Sequence, residues 1–189
     1  MEPSADAELL VRLRSGDERA FAALVQRYQE PMLRLAASFV PSRAVAEEVV
    51  QDTWLAMLRG IGSFEGRSSL KTWLFQILVN RARTTGTREQ RSTPVVDPAR
   101  FDGAGGWADP PAEWISAADD LRLAARIRKW IDLLPERQRQ VVLLRDVEGL
   151  TAADACAVLA VSEENQRVLL HRGRSRLRQL CEDEYREAQ

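Results

Sequence analysis

The sequence predicts an all-α protein made of two small helical domains joined by a flexible linker, and three observations carry that expectation. Apolar residues recur at three- and four-residue steps through both halves, the spacing that lines one side of a helix. No segment shows the apolar–polar alternation of a half-buried strand. Between the halves, Ser92–Glu113 holds Pro94, Pro98, Pro110 and Pro111 with Gly103, Gly105 and Gly106, and keeps no sustained period. A chain of 189 residues suffices for two helical cores. The expected boundaries are residues 1–91, a linker at 92–115, and residues 116–189.

A short helix around Leu9–Leu13 opens the first domain. From Asp17 to Val40, Phe21, Leu24, Val25, Tyr28, Met32, Leu35 and Phe39 mark an amphipathic helix that Pro31 is expected to kink or split. Ser42 is a fitting N-cap for a helix carrying Val45, Val49, Trp54, Leu58 and Ile61, which Gly60 and Gly62 end. Ser68 or Ser69 caps the next, whose buried stripe is expected to be Leu70, Trp73, Leu74, Ile77 and Leu78, opposite Thr72, Gln76, Asn80 and Arg83. The linker, fully stretched, spans about 70 Å, against about 26 Å for a relaxed coil. Its Trp107 and Trp114 are unusual in a passive spacer and hint at packing on a partner or on the domains.

In the second half, Leu123, Ile127, Trp130, Ile131 and Leu134 form one stripe, and Pro135 suits the first position of a helix running to about Val147, before Gly149. Thr151-Ala-Ala-Asp154 resembles a capping box for a short helix ending near Ala160, and a last long helix starts at Ser162. Thr151 to about Arg178 therefore has the pattern of a helix-turn-helix: small Cys156 and Ala157 for close crossing, the tight turn Ala160-Val161-Ser162, then a basic helix. Glu163 and Glu164 complement the dipole of that helix. Leu170, Gly173, Leu177 and Leu180 share one side, leaving Gln166, Arg167, Arg174 and Arg178 on the more exposed one. Arg and Gln suit bidentate reading of guanine and adenine edges, and spare arginines clamp phosphates. A helical hairpin with a solvated basic face is the plainer alternative; the turn and caps favour DNA.

Composition bounds the function. The hydrophobic share is 45% and the charged share 29%, near globular averages. No run approaches the roughly 18 apolar residues of a membrane span, and the acidic start Met-Glu-Pro-Ser-Ala-Asp lacks a secretory signal's basic and apolar regions. A cytoplasmic location without membrane insertion is expected. Cys156, Cys181 and the single His171 make no familiar zinc set, so no metal or cofactor is expected, and both cysteines read as buried small apolar groups. Glu47, Glu48 and Asp52 lack the converging partners that a hard cation needs, which makes a metal-dependent enzyme remote. The net charge of −1 hides two basic runs, Arg81, Arg83, Arg88 and Arg91, then Arg167, Arg172, Arg174, Arg176 and Arg178. Two runs suggest two nucleic-acid footprints, although either alone could be a solvated face.

Three blocks carry a family resemblance. Leu133-Leu-Pro-Glu-Arg-Gln-Arg-Gln-Val-Val-Leu-Leu-Arg-Asp-Val-Glu-Gly-Leu150 is similar to the opening of region 4 of sigma-70 proteins. Leu70-Lys-Thr-Trp-Leu-Phe-Gln-Ile-Leu-Val-Asn-Arg-Ala-Arg83 resembles their region 2.3–2.4, and Ala46-Glu-Glu-Val-Val-Gln-Asp-Thr-Trp54 their region 2.2. The blocks stand in family order, and the lack of a recognisable region 1.1 or region 3 resembles the extracytoplasmic-function (ECF) group. The resemblance implies a non-enzymatic initiation subunit: a region 2 bundle and a region 4 helix-turn-helix binding core RNA polymerase (β′ coiled coil and β flap) and promoter DNA, under an anti-sigma factor.

It also implies residue roles. Glu48, Gln51, Asp52, Trp54 and Leu55 are the core-polymerase candidates, although Trp54 alone reads more readily as core. Lys71, Gln76, Asn80, Arg81 and Arg83 are the −10 candidates, with Asn80 for base contact and Arg81 and Arg83 for phosphates. Phe64, Ser68 and Ser69 belong to a loop that could wall a flipped-base pocket, while Trp73 is assigned to the core. Gln166, Arg167, His171, Arg172 and Arg174 are the −35 candidates, His171 against the commoner fate of a partly buried histidine. Where many members carry Lys/Arg-Ser-Arg-Leu-His-Arg, this chain has Arg167-Val-Leu-Leu-His-Arg172. Val168 and Leu169 either face the core or meet thymine methyl groups. The alternative function is a helix-turn-helix regulator that binds duplex without polymerase.

Overall fold

The computed structural model describes residues 5–92 and 121–187. The linker beyond Ser92, with Trp107 and Trp114, lies outside the described residues, as do the side chains of Arg88, Arg91 and Leu123. Eight α-helices follow in order among the described residues: α1 Ala5–Arg14, α2 Glu18–Ala36, α3 Arg43–Gly60, α4 Leu70–Ser92, α5 Leu121–Asp132, α6 Glu136–Val142, α7 Ala152–Leu159 and α8 Glu163–Glu187. No strand occurs among the described residues, and the chain is all-α.

Among the described residues, 5–92 and 150–161 form one compact unit, and 121–149 and 162–187 another. In the first, Asp17 ends α1 and starts α2. Its carboxylate accepts from the backbone N–H groups of Arg19 and Ala20 and pairs with Arg12 at 2.8 Å. That hydrogen bond from Arg12, then the one from Ala20, hold the Asp17 pKa below the usual carboxylate range. Helix α2 runs unbroken through Pro31, so the expected split does not occur. Ser42 caps α3 through the Val45 N–H, and Ser69 caps α4 through the Thr72 N–H at 3.0 Å.

Met32 and Leu35 of α2, Val50 and Met57 of α3, and Leu74, Phe75, Leu78 and Val79 of α4 are almost wholly buried. Each such side chain stabilises the unit by roughly 1.5–3 kcal/mol relative to exposure. Helix α4 packs on α2, α3 and α7, which widens its buried arc beyond one stripe. Phe75, Val79, Ala82 and Thr72 are therefore buried, whereas Trp73 and Ile77, expected in the core, are only half-buried. Leu58, also expected inside, is 45% exposed because the buried arc of α3 is Ala46, Val49, Val50, Thr53, Trp54 and Met57.

Helix α7, which the sequence boundaries put in the second half, packs on α4. Thr151 caps it through the Asp154 N–H, as the box-like pattern suggests. It ends on Ala160 at φ 48, a left-handed turn that L residues rarely adopt. Both Cys156 and Cys181 are half-buried, not buried as expected.

In the second unit, Trp130, Ile131 and Leu134 pack with Val141, Val142, Leu144, Leu170 and Leu177 around the contact of α6 with α8. Pro135 has an extended ψ of 142 and caps α6 instead of opening it; the helix starts at Glu136. Val141–Leu144 are all buried, which one α-helical stripe cannot supply. The helix continues there as a π turn over Leu143–Val147. The indole N–H of Trp130 donates to Glu184 at 2.7 Å, tying α5 to the far end of α8.

Candidate nucleic-acid and polymerase interfaces

On α3, burial of one arc leaves Glu48, Gln51, Asp52 and Leu55 exposed at helical spacing. Leu55 and Leu58, 50% and 45% exposed, add an apolar strip to this acidic face. Trp54 is not part of it. The ring is buried, meets Phe21 edge-on at 5.8 Å, and donates its indole N–H to Gln29 at 2.8 Å. Trp54 is only 8% exposed, whereas Leu58, hidden in the sequence by its place on the apolar pattern, joins the exposed face.

On α4, Asn80 is exposed, next in sequence to the loosely paired Arg81, whose Nη1 lies 3.5 Å from Asp52. The Lys71 ammonium stands 6.0 Å from the Tyr28 ring and 5.9 Å from Phe75. Gln76 and Arg83 donate to the last carbonyls of α7: Gln76 Nε2 to Ala157 at 3.5 Å, and Arg83 to Leu159. The Arg83 guanidinium also sits over the Phe39 ring, 5.8 Å from its centre. Thr72 is buried against Ser69 and leaves the polar stripe.

The loop before α4 is held at both ends. Phe64 is buried, with its ring 4.8 Å from Trp73, so it offers no exposed wall. Trp73, which its apolar neighbours assign to the core, is only half-buried. Ser69 spends its hydroxyl on the Thr72 N–H and hydroxyl, while Ser68 is half-buried. Between them Glu65, Gly66 and Arg67 are exposed, and Gly66 turns the chain at φ 71.

On α8, the free face is Arg167, Val168 and Arg172, with Leu169 and His171 half-buried. Val168 is 43% exposed, so it does not face the core. Gln166, expected on the exposed side, is buried, one turn before Leu170 on the packed side of the helix. Arg174 grips Asp146 with two donors at 3.0 and 2.6 Å, and that hydrogen bonding, ahead of the opposing desolvation, raises its pKa further. Its guanidinium is committed within the unit. No group of three or more His, Cys, Asp and Glu among the described residues could hold a metal ion, and no described helix is long and apolar enough to cross a membrane.

Two family models match the chain in this order: sigma-70 region 2 over residues 24–92 and sigma-70 region 4 over residues 124–177. The chain belongs to the sigma-70 family. This sigma-70 protein is 32% identical over 162 residues to the ECF RNA polymerase sigma-E factor of Escherichia coli (strain K12), covering 84% of each chain. It is 30% identical over 187 residues to the RNA polymerase sigma-H factor of Pseudomonas aeruginosa, covering 97% of each. The structure of CnrH in complex with the cytosolic domain of CnrY matches with a TM-score of 0.61 at 25% identity, over 95% of this chain and 99% of that one. RpoE of Bartonella quintana, solved with the anti-sigma factor NepR, shares the fold at a TM-score of 0.56 and 24% identity, over 86% and 96%. The region 2 match takes in most of α2 with α3 and α4, and the region 4 match takes in most of α5, α6, α7 and much of α8. Sigma factors are not known as enzymes.

Proposed function

We propose that the chain is an ECF-type sigma factor that catalyses no reaction itself, acts in the cytoplasm, binds core RNA polymerase, and directs it to promoters with paired −10 and −35 elements. The observation that carries this reading is the presence of both sigma-70 regions in one chain, each bearing its own exposed polar helix face. A duplex-binding regulator has no use for the first region. Glu48, Gln51, Asp52, Leu55 and Leu58 form the polymerase-docking strip, against the β′ coiled coil, and the second unit meets the β flap. Asn80 captures an unpaired −10 base, with Arg81, Arg83, Lys71 and Gln76 beside it for phosphate and edge contacts, and the 64–69 loop borders the pocket. Arg167 and Arg172 contact the −35 duplex, with His171 at their edge, and Val168 lies between them, suited to a thymine methyl group.

An anti-sigma factor is the expected regulator; CnrH, a structural match, was solved with the cytosolic domain of CnrY. Transcription in vitro with core polymerase tests the whole reading: initiation at a cognate promoter supports it, while duplex binding without initiation leaves a regulator in its place. Asn80→Ala is expected to lower permanganate reactivity of unpaired −10 thymines while core binding persists. Unchanged promoter melting would remove Asn80 from the pocket.

A further inference from the structure

Helix α1 reaches the start of the 64–69 loop through Arg14. It packs on α2 and on the 3₁₀ turn Ile61–Ser63 that follows α3. From its last residue, Arg14 reaches that turn, its Nε donating to the Ile61 carbonyl at 3.2 Å and its Nη2 to the Phe64 carbonyl. The Ile61 carbonyl also takes the Phe64 N–H at 3.4 Å, and a planar guanidinium can bridge this oxygen and the Phe64 carbonyl in one fixed geometry.

That bridge acts on the pocket loop. The Phe64 carbonyl lies in the peptide through which the chain leaves the turn, with Phe64 at ψ 115, so holding this oxygen sets the direction in which residues 65–68 depart. The Phe64 ring is held separately by Trp73 at 4.8 Å, and the far end of the loop is held by the Ser69 cap on α4. Glu65, Gly66, Arg67 and Ser68 thus hang between two posts, one of them built by α1. Arg14 itself is placed by the α1–α2 corner, where Gly16 turns at φ 77 and Arg12 pairs with Asp17. The sequence gives no hint of this, because Arg14 is 47 and 50 residues from its partners and looks like any basic residue ending a helix.

We infer that Arg14 is a positioning residue for −10 base selection: it fixes the exit of the 64–69 loop and so the shape of the pocket without touching DNA. This rests on the reading of that loop as the border of the base pocket. The test uses full-length chains with core polymerase and promoters carrying each of the four bases at the captured −10 position. Arg14→Gln is expected to lower discrimination between cognate and non-cognate bases about tenfold, the scale of one mismatched pair. Core binding and total DNA affinity should hold. Arg14→Lys, with one ammonium for two carbonyls, should restore part of the discrimination. A loop-tip variant, E65A/R67A/S68A, tests the underlying reading separately. Altered discrimination in the tip variant but not in Arg14→Gln overturns the role of Arg14. No change in the tip variant overturns the pocket reading and the inference with it. An equal loss of core binding and melting temperature in Arg14→Gln and Arg14→Lys, with discrimination intact, would make the bridge merely structural and also overturn it.

Discussion

Arg167 and Arg174 stand two turns apart on α8 and use the same guanidinium differently. Arg167 is exposed beside Val168, whereas Arg174 is clasped by Asp146. Arg167→Ala should therefore weaken −35 binding by about 1–3 kcal/mol and relax one base position; a uniform loss across sequences would mark a phosphate contact instead. Arg174→Ala should leave base preference unchanged and lower unfolding stability by no more than about 1 kcal/mol, since the pair is partly exposed and screened. Comparing binding-site selection with denaturant melts separates the two. The sequence put both among the −35 candidates; what it did not show was the clasp on Arg174, because Asp146 lies 28 residues away. Gln166 was misread for a related reason: side-chain polarity suggests exposure, but the packed side of α8 reaches back one turn beyond Leu170 and encloses it.

Helix starts were legible because caps are local: Asp17, Ser42, Ser69 and Thr151 each accept from a backbone N–H two or three residues on. Which residues each helix buries was less so. A stripe drawn on α4 assumes a single neighbour, and this helix has three, so Phe75 and Val79 go inside and Trp73 partly leaves. The end of α4 shows how closely its neighbours approach. A Cβ at Gly86 would lie 2.4 Å from the Phe39 carbonyl oxygen. Gly86→Ala gains about 1 kcal/mol of helix propensity, but the backbone must move away from a fixed oxygen, typically at about 1–3 kcal/mol. A net loss in urea melts is the expected outcome, with a lowered midpoint at an unchanged slope.

At the scale of the molecule, the fold class and the two family regions could be read directly, while the division into packed units could not. Helix α7 belongs by sequence to region 4 and by contact to the unit containing α4, a non-local association that no periodicity encodes. Its last carbonyls take donors from Gln76 and Arg83, which are also −10 candidates. Arg83→Ala should loosen α7, read as faster amide hydrogen exchange over residues 152–159 with little change in α2 and α3. Equal exchange in both proteins would mean that apolar contacts through Val158 and Leu159 hold the helix unaided.

Gly173 lies where α8 crosses α6, and a Cβ there would come within 2.7 Å of Val142. The side of α8 that needs glycine is thus the side away from Arg167, Val168 and Arg172. On the proposed −35 reading, a lineage can rewrite the promoter address of this protein by exchanging those three residues, one mutation at a time, while the crossing that holds the helix in place is inherited unaltered. Descendants of one fold can in this way diverge into separate regulons without first having to solve the folding problem again.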